Sequence, residues 1–68
     1  MQLDLKEQKI RDRVIFTFNV IPTLVDVERH VVHVEVRQKD VDRMNLSLEE
    51  MEEDLSALVD RKVEVKAV

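Results

Sequence analysis

The 68-residue sequence contains no glycine, and this absence restricts how the chain can reverse direction. Average glycine usage would supply about five in a chain of this length. Two-residue hairpin turns need positive φ angles, which glycine adopts most readily, and otherwise only Asn19, Asn45 and the aspartates adopt them at small cost. We therefore expect longer loops, bulges or type I turns, with exchange of strands between two copies as an alternative to simple longer loops.

Cysteine is also absent, which excludes disulfides and the common zinc frameworks. We interpret residues 1–68 as a single domain, and a domain of this size buries only about 60% of its unfolded surface, so its core alone gives marginal stability. Small domains without disulfides or metals are often stabilised by association. The sequence therefore predicts a homo-oligomer, and the lack of cysteine fits the reducing cytoplasm better than a secreted scaffold.

Long apolar runs and most aromatic residues are missing as well. No stretch approaches the roughly 18 apolar residues of a membrane span, and residues 1–9 lack the apolar segment of a signal peptide, so neither membrane insertion nor secretion is expected. The net charge is −4, with seven acidic against three basic residues over 44–68, which opposes binding to nucleic acid. Tyrosine and tryptophan are absent, and we expect both phenylalanines to point inward, so stacking of bases on a sheet is not predicted.

Alternating apolar and polar residues predict three strands, over residues 10–21, 31–37 and 63–67. Pro22 ends the first of them because proline cannot donate to a strand ladder. From this pattern and one helix described below, we predict a small α+β fold. Its three- or four-stranded, mostly antiparallel sheet would carry one helix on one face, in the order (β)ββαβ.

Two segments have less certain patterns. Residues 1–5 alternate like a short leading strand, although Asp4 and Glu7 also suit a helix start. Over residues 24–29 the apolar valines occupy odd positions, whereas those of the following strand occupy even positions. A straight strand cannot satisfy both, so we favour a bulge or bend near residues 28–30. The alternative is a separate short element over residues 24–29 that includes one helical turn.

A helix over residues 48–60 has the clearest beginning in the chain. Ser47 and Glu50 have the spacing of a capping box, and Leu46 and Met51 that of a hydrophobic staple. Acidic residues crowd the first turns, where the helix dipole favours them. The helix should pack on the sheet through one apolar stripe, formed by Leu48, Met51, Leu55, Leu58 and Val59. We predict that residues 39–45 before it are a polar link.

No motif indicates catalysis, a cofactor or a metal. His30 and His33 have a metal-binding spacing on a helix, but on a strand they face opposite ways. Residues 40–51 resemble a calcium loop only faintly, because the required glycine is absent and Met51 stands where a glutamate belongs. The carboxylate pairs of the helix are typical of a solvated face. We therefore predict a protein without catalytic residues, cofactor or metal.

The sheet face opposite the helix is the predicted contact surface, because it combines apolar and charged side chains. Its members are Arg13, Ile15, Thr17, Val31, His33 and Arg37. We predict an assembly module that self-associates, as a homodimer, through this face or a sheet edge, or that binds another protein. The alternative is a nucleic-acid-binding regulator that uses Arg11, Arg13, Arg29, Arg37 and Lys39.

Overall fold

The computed structural model describes residues 5–68 and has three helices and a three-stranded mixed sheet in that range. In chain order the elements are α1 (Leu5–Phe18), β1 (Leu24–Val27), β2 (Val31–Val36), α2 (Gln38–Met44), α3 (Leu48–Val59) and β3 (Lys62–Ala67). The sheet order is β1-β2-β3, with β2 antiparallel to β1 and parallel to β3. The α+β class is confirmed, whereas one helix and a mostly antiparallel sheet were wrong expectations. The long helical connection between β2 and β3 is what permits parallel pairing.

Helix α1 replaces the strand predicted over 10–21. Ile10 and Val14 are fully buried one turn apart, and Phe18, one turn further, packs against the core. This spacing forms an apolar stripe along a helix. The same segment also has apolar residues at every second position from Val14 to Phe18, which is the pattern of a strand. Phe16, which we expected to point inward, is 82% exposed. The predicted leading strand over 1–5 lies outside the described residues except for Leu5, which begins α1.

Strands β1 and β2 form a hairpin, which explains why the apolar valines lie at odd positions in β1 and at even positions in β2. Their register pairs Val25 with Val34 and Val27 with Val32, so odd positions of β1 share a face with even positions of β2. The chain reverses over residues 28–30, where the Glu28 amide donates to the Val31 carbonyl at 2.9 Å. The bulge we favoured is therefore wrong, because the chain bends back into a hairpin at these residues. Residues 24–27 are a separate element, as in the alternative, but that element is a strand and not a helical turn.

Helix α3 confirms the most specific sequence prediction. It begins after Ser47, whose Oγ accepts from the Glu50 amide at 3.3 Å, and it buries Met51, Leu55 and Val59. The segment before it is not a simple link, because most of residues 39–45 belong to helix α2.

Helices α1 and α3 cover one face of the sheet and enclose the core. Its buried members are Ile10, Val14, Val20, Val25, Val32, Val34, Val36, Met51, Leu55, Val59, Val63 and Val65. The opposite sheet face carries exposed or half-buried side chains. None of the helices within residues 5–68 is long and apolar enough to cross a membrane.

Candidate interaction surface

A cleft with about 510 Å³ of open space lies between the end of α1, the connection to β1, and α2. We call it the α1–α2 cleft. It is lined by Ile15, Asn19, Val20, Ile21, Pro22, Thr23, Arg37, Asp40 and Arg43.

The connection between α1 and β1 forms one wall and is held at both ends. Asn19 ends α1 with a φ of 60°, a left-handed conformation that asparagine tolerates better than most residues. At the other end, the Thr23 amide donates to the Glu35 carbonyl at 2.8 Å. Between them Val20 and Pro22 are buried, and Ile21 is left 71% exposed. Because the side chains of Val20 and Pro22 are buried on either side of it, the apolar side chain of Ile21 is kept in solvent beside the cleft.

The opposite wall is charged and belongs to α2 and its first flanking residue. Arg43 pairs with Asp40 at 3.1 Å, and Arg43 is the more exposed of the two. Arg37 precedes α2 in an extended conformation, and its exposed side chain has no ion pair with any described residue. The cleft therefore combines an apolar wall with two guanidinium groups and one carboxylate.

The structure does not bring the six predicted contact residues onto one sheet face. Arg13, Ile15 and Thr17 lie on α1, because residues 5–18 are helical. Val31 and His33 lie on the uncovered face of β2, and the remaining residue, Arg37, lies just after that strand. Ile15 and Arg37 both line the α1–α2 cleft, whereas Arg13 and Thr17 line a separate shallow groove. Val31 and His33 are neighbours on β2. Whether any of the six forms an interface stays a prediction.

The sequence pattern places Ile21 at the end of a strand and at the margin of the predicted contact face, whereas the structure has it in the connection after α1. An available signal was the spacing of Asn19 and Pro22, since asparagine is common after helices and proline shortly after that. Interpreting that pair as a helix end would have placed Ile21 in a connection rather than at the end of a half-buried strand.

The five basic residues of the nucleic-acid alternative are divided among separate elements. Arg11 pairs with Glu7 at 3.1 Å and Arg13 with Asp54 at 3.3 Å. Arg29 lies in the turn of the β1–β2 hairpin, whereas Arg37 and Lys39 lie at the start of α2. Two of the five charges are therefore already partnered within the chain.

Acidic and basic side chains are unevenly distributed across the uncovered sheet face. His33 at its centre lies 3.7 Å from a Glu28 carboxylate oxygen and 3.5 Å from one of Glu64. Asp26 lies on the β1 side of this face, and Lys62 and Lys66 lie on the β3 side. Lys62 also pairs with Glu64 at 3.6 Å. This face runs from acidic at β1 to mixed, partly basic at β3.

Within the described part of the chain, no group of three or more histidine, cysteine, aspartate or glutamate side chains is placed to hold a metal ion. Comparison of the chain with protein-family models, curated proteins and solved structures finds no match.

Proposed function

We propose that this protein is a non-enzymatic assembly module that forms a homodimer through the α1–α2 cleft. The observation that supports the proposal is Ile21, 71% exposed beside a cleft with an apolar wall. A projecting apolar side chain and a recess on one surface are what a two-fold contact requires, because each copy offers both parts to the other. Apolar anchors that fill pockets are also typical centres of interfaces.

The energetics agree with this use of the surface. Burying one isoleucine side chain contributes roughly 1.5–3 kcal/mol, and a two-fold contact buries two. A chain of 68 residues has a small core and benefits from such a contribution. Arg37 and Arg43 would lie at the rim, where charges affect specificity more than affinity. The cytoplasmic location expected from the lack of cysteine belongs to the same proposal.

The nucleic-acid alternative receives support from one observation, the exposure of Phe16. Its ring lies in a shallow groove with Lys9 and Arg13, and an exposed ring beside basic side chains suits base stacking. Asp12 lines the same groove, however, and Arg13 is paired with Asp54. The homodimer therefore remains our first proposal.

Light scattering during size-exclusion chromatography, repeated over a wide range of loading concentrations, tests the homodimer. The wild-type mass should rise from the 8.0 kDa of one chain to twice that value. Ile21→Asp should remain monomeric, because it would bury an unpaired charge in the contact.

Leu5→Asp is the matched control. Leu5 is 74% exposed, like Ile21, but lies at the opposite end of α1. This variant should dimerise as the wild type does. A wild type that stays monomeric at every concentration, or equal loss of dimer in both variants, would contradict the proposed surface.

A further inference from the structure

The two edges of the sheet differ in whether their outward amides are occupied. At the β3 edge, the Val63 amide donates to Ser56 Oγ at 3.1 Å and the Val65 amide to a Glu52 carboxylate oxygen at 2.9 Å. Both acceptors belong to α3. Side chains of the chain itself therefore use the donors that an added strand would need.

The β1 edge has no such covering. The Glu28 amide donates to the Val31 carbonyl at the turn, so the backbone N–H and C=O groups of every second residue from there, Glu28, Asp26 and Leu24, point toward β2. Because these directions alternate along an antiparallel ladder, the backbone groups of Val25 and Val27 point outward. Among the described residues, nothing outside the β1–β2 ladder forms a hydrogen bond with Val25 or Val27. This edge offers two amide donors and two carbonyl acceptors to a further strand.

The side chains beside this edge are acidic on the uncovered face. Asp26 is exposed and has no ion pair within residues 5–68, and the neighbouring Glu28 side chain is also about half exposed. On the other face, Val25 belongs to the core and Val27 packs against it. A strand added here would place alternate side chains beside carboxylates and beside valines.

We propose that the β1 edge binds an extended segment of another protein in which basic and apolar residues alternate. Backbone hydrogen bonds to Val25 and Val27 would supply binding, and Asp26 would select basic side chains. The chain's net charge of −4 also attracts a basic partner. This site is separate from the α1–α2 cleft and does not depend on the homodimer.

A second copy of this chain fits the edge less well. Antiparallel pairing of two β1 edges can place Val25 opposite Val25, Val25 opposite Val27, or Val27 opposite Val27. The first arrangement sets Asp26 opposite Leu24, so it leaves that carboxylate without a basic partner. The second sets two copies of Asp26 opposite each other, and the third sets Asp26 opposite Glu28, which is unfavourable for like charges. The more basic strand β3 is not available either, because Glu52 and Ser56 occupy its outward amides.

Nuclear magnetic resonance titration of the ¹⁵N-labelled protein tests this proposal with two capped octapeptides, one alternating valine with lysine and the other valine with glutamate. The lysine peptide should shift the amide signals of Val25 and Val27 and slow their hydrogen exchange. We expect it to bind about tenfold more tightly than the glutamate peptide, a difference of about 1.4 kcal/mol.

Two variants examine the charge and the backbone separately. Asp26→Lys should abolish or reverse the preference, whereas Glu53→Lys, the same charge change at an exposed position of α3, should keep it. Val27→Pro removes one outward donor without removing a ladder bond and should weaken binding about tenfold. Should Val27→Pro fail to fold, the comparison of Asp26→Lys with Glu53→Lys decides alone.

Three outcomes would overturn the proposal. The first is that neither peptide binds at millimolar concentration. The second is that the shifted amide signals are centred on β3 or on residues 19–23. The third is that Asp26→Lys and Glu53→Lys lose the preference for the lysine peptide equally. Ile21→Asp should bind the lysine peptide as the wild type does, so a failure of the proposed homodimer would not be confused with a failure at this edge.

Discussion

The end of α3 offers a direct test of what the lack of glycine costs this fold. Asp60 ends the helix with φ and ψ of 52° and 46°, and the following amide of Arg61 donates back to the Ser56 carbonyl at 3.4 Å. A left-handed residue with a side chain is strained by about 1–2 kcal/mol, whereas glycine is not strained but loses about 0.5–1 kcal/mol more conformational freedom on folding. The Asp60 carboxylate also lies at the negative end of the helix dipole, which costs about 0.3–1 kcal/mol. Asp60→Gly should therefore stabilise the protein by about 1 kcal/mol.

Urea unfolding followed by circular dichroism measures this change, and for 68 residues it corresponds to a rise of about 7 °C in Tm. Asp60→Asn removes the charge alone and should contribute about half of the gain. Asn45→Gly, at the left-handed end of α2, removes only the conformational strain and should contribute a similar amount. Loss of stability in Asp60→Gly together with a gain in Asn45→Gly would show that the Asp60 side chain makes a favourable interaction and that this reasoning is wrong.

Two further predictions concern the start and the core of α3. Ser47→Ala should cost about 1 kcal/mol of unfolding free energy, because it removes the oxygen that accepts from the Glu50 amide; urea unfolding that shows no change would mean that this cap does not stabilise the helix. Leu55→Ala should cost about 2–5 kcal/mol, because Leu55 is fully buried, whereas the control Leu5→Ala at an exposed position should change stability by less than about 0.5 kcal/mol. Equal effects of the two leucine variants in the same assay would contradict the packing of α3.

The parts of the fold that could be predicted are those in which local signals agree. For α3, the capping residues, the early acidic residues and the apolar stripe all indicate the same helix, and the structure has it at Leu48–Val59. Strand β3 alternates throughout and β2 alternates from Val32 onward, and both strands lie within one residue of their predicted bounds.

The mistaken strand over 10–21 shows where local patterns conflict. Val14 and Phe18 belong both to an alternating series and to a helical stripe with Ile10, so the sequence fits two periods. The choice between them depends on tertiary packing, since α1 lies against α3 and β1. The cleft could not be predicted for the same reason, because its walls exist only when α1 ends at Phe18 and the connection after it lies beside α2.

The hairpin of β1 and β2 closes without glycine by using a contact from a distant part of the chain. Asn19, Asn45 and Asp60 are the non-glycine residues with positive φ in the described range, and none lies in this turn. The Glu28 amide donates to Val31 within the turn, while the Glu28 carbonyl accepts from the Arg61 guanidinium at 2.6 Å. A charged donor strengthens such a bond, and Arg61 directly follows Asp60, the left-handed residue that ends α3. This hydrogen bond joins the end of α3, the helix most evident in the sequence, to the turn beside the edge that we propose binds a partner.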